Sequence, residues 1–162
     1  MPEEAARDLR PAGPASLRIL ARFRAGESLG TLRLRPDQAR QFDIVDRDQL
    51  TEPLPWYRED SPWGGPIAAP STIVGLLYGE ILAPVKAKMG QRVGLFGAID
   101  LRFSHGPVFL DQTYDVSGEI VALSQTPKTE VLWFDSWAGT GGQRVATMRM
   151  MLRSMKAASP QH

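Results

Sequence analysis

The 162-residue chain has no cysteine and only two histidines, one of which, His162, is its last residue. The first absence excludes disulfides, thiolate nucleophiles and cysteine-ligated zinc. The second leaves His105 as the one internal imidazole for proton transfer. Charge of one sign is also missing: 19 Lys and Arg against 18 Asp and Glu leave a formal charge of +1. No electrostatic footprint for nucleic acid or an anionic membrane follows from that balance. Long apolar runs are absent too, because the stretch Ile67 to Val85 is interrupted by Pro70, Glu80 and Pro84 and is too broken to span a bilayer. The chain starts Met1-Pro-Glu-Glu, acidic where a secretory signal is basic, so a soluble, cytoplasmic protein is expected. No glycine-rich phosphate loop, Ser-His-Asp order or zinc spacing is found, and the acids Asp46, Asp48, Glu59 and Asp60 share no histidine and no calcium-loop spacing. Neither a metal nor a cofactor is expected.

What is present suits one ordinary core, with 43% hydrophobic residues. Residues 1–16 mix charge, Ala, Pro and Gly without periodicity and read as a flexible leader; 17–157 form the domain, and 158–162 a flexible end. Leu17, Ile19, Ala21 and Phe23 alternate with arginines, and Thr31 to Arg35 alternates again after Gly26 and Gly30, which predicts two short strands. Pro36-Asp37 opens a short helix through about Phe42, and residues 46–65 form a long irregular segment rich in proline and aromatics. Ser71 to Val85 is the strongest helix, with Ile73, Leu76, Leu77, Ile81 and Leu82 on its apolar face. Gly75, Gly79 and Ala83 form a small-residue stripe on it, which suits close packing by another element, or passage of a substrate. The second half alternates with period two around Ile99–Phe103, Tyr114–Ile120, Val131–Ala138 and Ala146–Leu152, which predicts an antiparallel meander. The class is α+β, with a curved antiparallel sheet wrapped around one long central helix.

Three stretches carry a resemblance. Trp63-Gly-Gly-Pro-Ile-Ala-Ala-Pro70 leads into the central helix, Phe103-Ser-His-Gly-Pro-Val-Phe-Leu-Asp-Gln-Thr113 joins two strands, and Glu52-Pro-Leu-Pro-Trp-Tyr57 precedes both. Together with the order of elements, over residues 25 to 156, they resemble the hotdog fold and, within it, the MaoC-like acyl-thioester dehydratases and hydratases. The resemblance implies a thioester substrate carried by coenzyme A or an acyl carrier protein, and a homodimer. It places Glu52 where the family has its catalytic Asp and Tyr57 where it has its His. Pro70 stands at the family's glycine and has no N–H to give, so the Ser71 and Thr72 amides become the oxyanion donors. Trp56, Trp63, Gly65, Ile67 and Ala69 are the implied substrate-binding residues. His105 lies in the second stretch and is retained as a proton-transfer candidate; Arg102, Arg149 and Arg153 are candidates for contacts to carrier phosphates. The same fold also hosts thioesterases, silent acyl-binding or partner subunits, and specialised cyclases or isomerases, and these readings stay open.

Overall fold

The computed structural model describes residues 10–12, 14–47 and 54–156. Glu52, Asp48 and the expected flexible ends 1–9 and 158–162 lie outside the described residues. At the centre is a helix, α2 (Pro70–Tyr78), after α1 (Gln38–Asp46) and before α3 (Ala83–Met89). Pro70 sits in the first turn of α2, where its missing N–H costs nothing, and Ile73, Leu76 and Leu77 are buried. The single helix expected over 71–85 is therefore two. Proline at position 84 cannot donate to the carbonyl of Glu80 and its ring crowds that carbonyl, so the chain breaks at residues 79–82 and restarts with Pro84 in the first turn of α3. Ile81 and Leu82 stay buried through the break, so the core is continuous across it.

Six strands form one antiparallel sheet: β1 (Arg10–Pro11), β2 (Ser28–Leu34), β3 (Gly94–Phe103), β4 (Tyr114–Gln125), β5 (Thr129–Thr140) and β6 (Gln143–Met155). The order is β1-β4-β5-β6-β3, with β2 also on β4. β4, β5 and β6 are the expected meander, and Gly141 (φ 56°) and Gly142 (φ 81°) close the β5–β6 hairpin in the left-handed conformation its two-residue turn requires. β3 departs from a simple meander, because it pairs with β6 at the far edge instead of with β4, the next strand in sequence. Val116, Ile120, Phe134, Met148 and Met150 are buried and pack in one core with α2. Each such side chain contributes about 1.5–3 kcal/mol on leaving water. This is the hotdog arrangement, a curved sheet around a central helical segment.

Two further expectations are corrected near the N-terminus. Residues 10–12 are not part of a free leader: Arg10 and Pro11 pair with Gln125 and Ser124, and Ala12 N donates to Leu123 O. The segment Leu17–Phe23 is not a strand, although Leu17, Ile19, Leu20 and Phe23 are buried. Its amides donate to a side chain instead. Arg18 N reaches Glu130 Oε1 at 2.9 Å, and Ile19 N and Leu20 N reach Oε2 at 2.9 and 2.8 Å. Glu130 is only 2% exposed, so this carboxylate substitutes for a strand partner and pins the segment across the end of β5.

Buried Tyr114 has a similar task on the other side of the core. Its hydroxyl accepts from Phe109 N at 2.8 Å and donates to Gln112 Oε1 at 3.3 Å, holding the connection that precedes β4. Burial pushes its pKa above the ordinary phenol value, against a smaller opposing effect of the Phe109 N–H.

Glu130→Gln presents an amide N–H to backbone donors and is expected to destabilise by about 2–4 kcal/mol in chemical denaturation. For Tyr114, the unfolded phenol ionises first, so the linked stability is complete below about pH 10 and falls as pH rises through the higher folded value. Tyr114→Phe should lower stability by about 1–2 kcal/mol at neutral pH and remove that alkaline decline, measured as melting temperature against pH.

Candidate functional site

The site grows from one buried side chain on α1. Asp37 caps that helix by accepting from Arg40 N at 3.0 Å, and Gln41, one turn on, points inward and is 1% exposed. Its Nε2 donates to Tyr57 O at 2.6 Å and Ile67 O at 3.0 Å, and its Oε1 accepts from Ala69 N at 2.8 Å. Two carbonyls and one N–H leave the amide only one orientation. Gln41 therefore ties α1, the 3-10 turn Pro55–Tyr57 and the entrance to α2 into one unit.

At that entrance Ala69 is extended (φ −68°, ψ 155°), and Ile73 N is the first amide of α2 to find a carbonyl, Ala69 O at 3.0 Å. The Ser71 and Thr72 amides ahead of it have no partner among the described residues. Ser71 and Thr72 also line a groove of about 230 Å³ between α1, the end of β2 and the side of α2. Leu34, Ile44 and Leu76 supply apolar walls; Asp37, Arg40 and Glu80 supply charge; Gly75 and Gly79 line it along the helix. A Cβ at Gly75 would meet no atom within 4 Å, so that glycine is not there for close packing by a neighbour, whereas one at Gly79 would meet Gly75 O at 2.9 Å. Gly75 leaves the groove open. Amides carrying the positive end of a helix, set beside an apolar trough, suit an oxygen that gains negative charge with an apolar chain attached to it.

The other described residues singled out from the sequence do not line this groove. Tyr57 is half-buried on the 3-10 turn and joins the site through its carbonyl on Gln41. Trp56 and Trp63 meet edge to face at 5.5 Å, with Trp63 56% exposed. Gly65 lies against Asp111, Ile67 bridges to Phe109, and Ala69 is buried with its amide taken by Gln41. His105 is held apart: its Nδ1–H donates to Arg144 O at 2.8 Å near the β5–β6 turn. Arg102 is paired with Asp100 and Arg149 with Asp135, both at 2.7 Å, so two of the three strand arginines already have an anion. The Arg102 guanidinium, by hydrogen bonding first, holds Asp100 below the usual carboxylate range. Asp37 and Gln41 were not assigned a site role from sequence; Asp37 carried a helix-cap signal, and Gln41 none. Among the described residues no three acidic or histidine side chains converge as a metal site needs, and no helix is long and apolar enough to cross a membrane.

No family model matches the chain and no curated protein matches it. Solved structures do. A monoamine oxidase regulatory protein from Archaeoglobus fulgius superposes with a TM-score of 0.62 at 19% identity, covering 91% of this chain and 97% of that one. The ChsH1-ChsH2 complex from Mycobacterium tuberculosis gives 0.59 at 18% identity, covering 88% and 92%. A MaoC-like dehydratase from Rhodospirillum rubrum gives 0.58 at 14% identity, covering 86% and 98%. At these identities the likeness is one of fold, and it extends over nearly the whole length of both partners.

Because nothing packs on Gly75, Gly75→Ala is expected to raise stability by about 0.5–1 kcal/mol through helix propensity. Gly75→Leu should keep the fold, seen in an unchanged circular dichroism spectrum and melting temperature, and occlude the groove to any acyl ligand.

Proposed function

We propose that the protein binds an acyl thioester in the α2 groove and acts as an atypical hydratase or dehydratase of the MaoC-like kind. The observation that carries this reading is the pair of unpartnered amides, Ser71 and Thr72, in the first turn of the helix whose side, along Gly75, lines the groove. The thioester oxygen is placed at those amides and the acyl chain along the stripe. Hydration adds a water oxygen to the β-carbon and a proton to the α-carbon; the electrons pass through an enolate whose oxygen the two amides stabilise. Glu52 is the proposed base that orients water, and Tyr57 the proton donor or hydrogen-bond partner, both by resemblance. Asp37 is a second carboxylate, on the groove wall itself, with Oδ1 engaged by the cap and Oδ2 available.

A thioesterase is the alternative, favoured by one observation: the groove is lined by the carboxylates Asp37 and Glu80 and by no imidazole. A carboxylate that activates water against the carbonyl needs no histidine.

Assembly as a homodimer is part of the proposal. β3 is an open edge, and the large apolar side chains left exposed include Val93, Leu95, Phe96, Ile99 and Phe103, on β3 or next to it. Antiparallel pairing of two copies along β3 satisfies the edge and covers those side chains with the same set from the other copy.

Activity on crotonyl- and longer enoyl-thioesters should fall at least about a hundredfold in Glu52→Gln. Asp37→Asn keeps a capping oxygen, so a similar loss there with an unchanged melting temperature would move the base to Asp37. Release of free thiol from saturated acyl thioesters would select the thioesterase, and ligand stabilisation without any product the silent subunit. Light scattering should give a dimer for the unaltered chain and a monomer for Ile99→Lys/Phe103→Lys; a monomeric unaltered chain contradicts the assembly.

A further inference from the structure

The nitrogen of the Gln41 side chain holds both ends of the loop 58–66. It donates to Tyr57 O at 2.6 Å, just before the loop, and to Ile67 O at 3.0 Å, just after it. Ile67 N adds a direct bond across the same neck, to Trp56 O at 2.9 Å. A surface loop whose feet meet in this way is an Ω-loop. It is braced inside as well. Ser61 and Gly64 exchange backbone hydrogen bonds at 2.7 and 3.0 Å, Ser61 Oγ donates to Gly65 O at 2.9 Å, and Trp63 rests edge to face on Trp56 at the foot.

The two feet lead to different parts of the proposed chemistry. Before the neck stands Tyr57 on its 3-10 turn. After it come Ala69, whose N–H donates to Gln41 Oε1 at 2.8 Å, and then the first turn of α2 with the Ser71 and Thr72 amides. The separation of the feet is set at the neck, and the neck is closed by a side chain 1% exposed, whose bonds water cannot replace. The same loop has a second tie to α1 through Arg58, whose guanidinium lies 4.6 Å over the Phe42 ring and 3.3 Å from Asp46 Oδ1. The Arg58 and Asp46 side chains are 45% and 54% exposed, so that tie contributes little.

We infer that Gln41 is a positioning residue of the reaction: by closing the neck it sets the turn that carries Tyr57 against the amides of Ser71 and Thr72, and it touches no substrate itself. The inference rests on the thioester reading above, which supplies the roles of Tyr57 and of the two amides. Proton transfer and enolate stabilisation act on the same bound acyl group, so the separation of donor and amides enters the rate. A misplacement of about 1 Å costs on the order of a hundredfold in turnover. The enolate oxygen carries more charge than the thioester oxygen it comes from, so the loss falls on kcat and not on KM.

The test compares Gln41→Glu, Gln41→Met and Arg58→Ala in the 162-residue chain. Gln41→Glu keeps the volume and an oxygen for Ala69 N but sets an acceptor against the Tyr57 and Ile67 carbonyls; Gln41→Met keeps the length and makes none of the three bonds. Hydration of crotonyl-pantetheine is expected to lose about a hundredfold in kcat in both, with KM within about twofold, measured well below the melting midpoint. Arg58→Ala is expected to stay within about twofold in kcat and KM. Amide exchange followed by NMR reads the neck without turnover: in Gln41→Met the Ile67 and Ala69 N–H groups are expected to lose at least about tenfold more protection than the sheet amides. An unchanged kcat in the Gln41 variants would overturn the inference, and so would a loss that only follows the unfolded fraction, with all amides losing protection alike. If Gln41→Met does not fold, Gln41→Glu decides. Turnover that is insensitive to Gln41 removes only this role and leaves the functional reading standing. An unaltered chain that neither binds nor consumes a thioester overturns the functional reading and this role with it.

Discussion

Everything at the groove depends on the Gln41 amide. A side chain 1% exposed that makes three hydrogen bonds cannot be rearranged without stranding two carbonyls and an N–H away from water. That requirement fixes the distance between α1 and the start of α2, and with it the width of the trough between them. It also takes the Ala69 amide out of play, so the unpartnered donors begin at Ser71. The helix entrance is therefore held open by a polar bond network and not by apolar packing.

The sheet uses the same physics elsewhere. Glu130 gathers three amides of a segment that has no strand partner, and the Tyr114 hydroxyl satisfies Phe109 N in a connection that also pairs with residues 66–68. On the outer face, Asp100, Arg149 and Asp135 lie in one register across β3, β6 and β5, so charges of opposite sign are neighbours there. Nearly equal totals of acid and base thus conceal an uneven distribution. Pairing engages Asp100 and Asp135 on that face, while Lys86, Arg92 and Arg153 line a concavity that no carboxylate lines.

Period-two alternation revealed β4 because its two faces meet different surroundings, core on one side and solvent or ion pairs on the other; β3 alternates as well, but its apolar face is left exposed. The same alternation misled at Leu17–Phe23, since alternate burial does not require a strand when a carboxylate meets the amides. The break at residues 79–82 was written in Pro84, yet the apolar face ran on across it and masked it. Of the residues singled out as a site, Ser71 and Thr72 line the groove, because helix starts have local signals. His105 is engaged near the β5–β6 turn, which no local pattern specifies.

By itself, then, the sequence determined the fold class, the position of the central helix and its first turn, and the want of an imidazole for the chemistry its motifs suggest. These are local or periodic properties, set by proline geometry, side-chain alternation and composition. Only the tertiary structure decided that Gly75 faces open space, that Gln41 joins α1 to the entrance of α2 and that Asp37 lines the groove. Each of those depends on elements far apart in the chain, and contacts between them are fixed by packing the whole core, which no window of sequence contains.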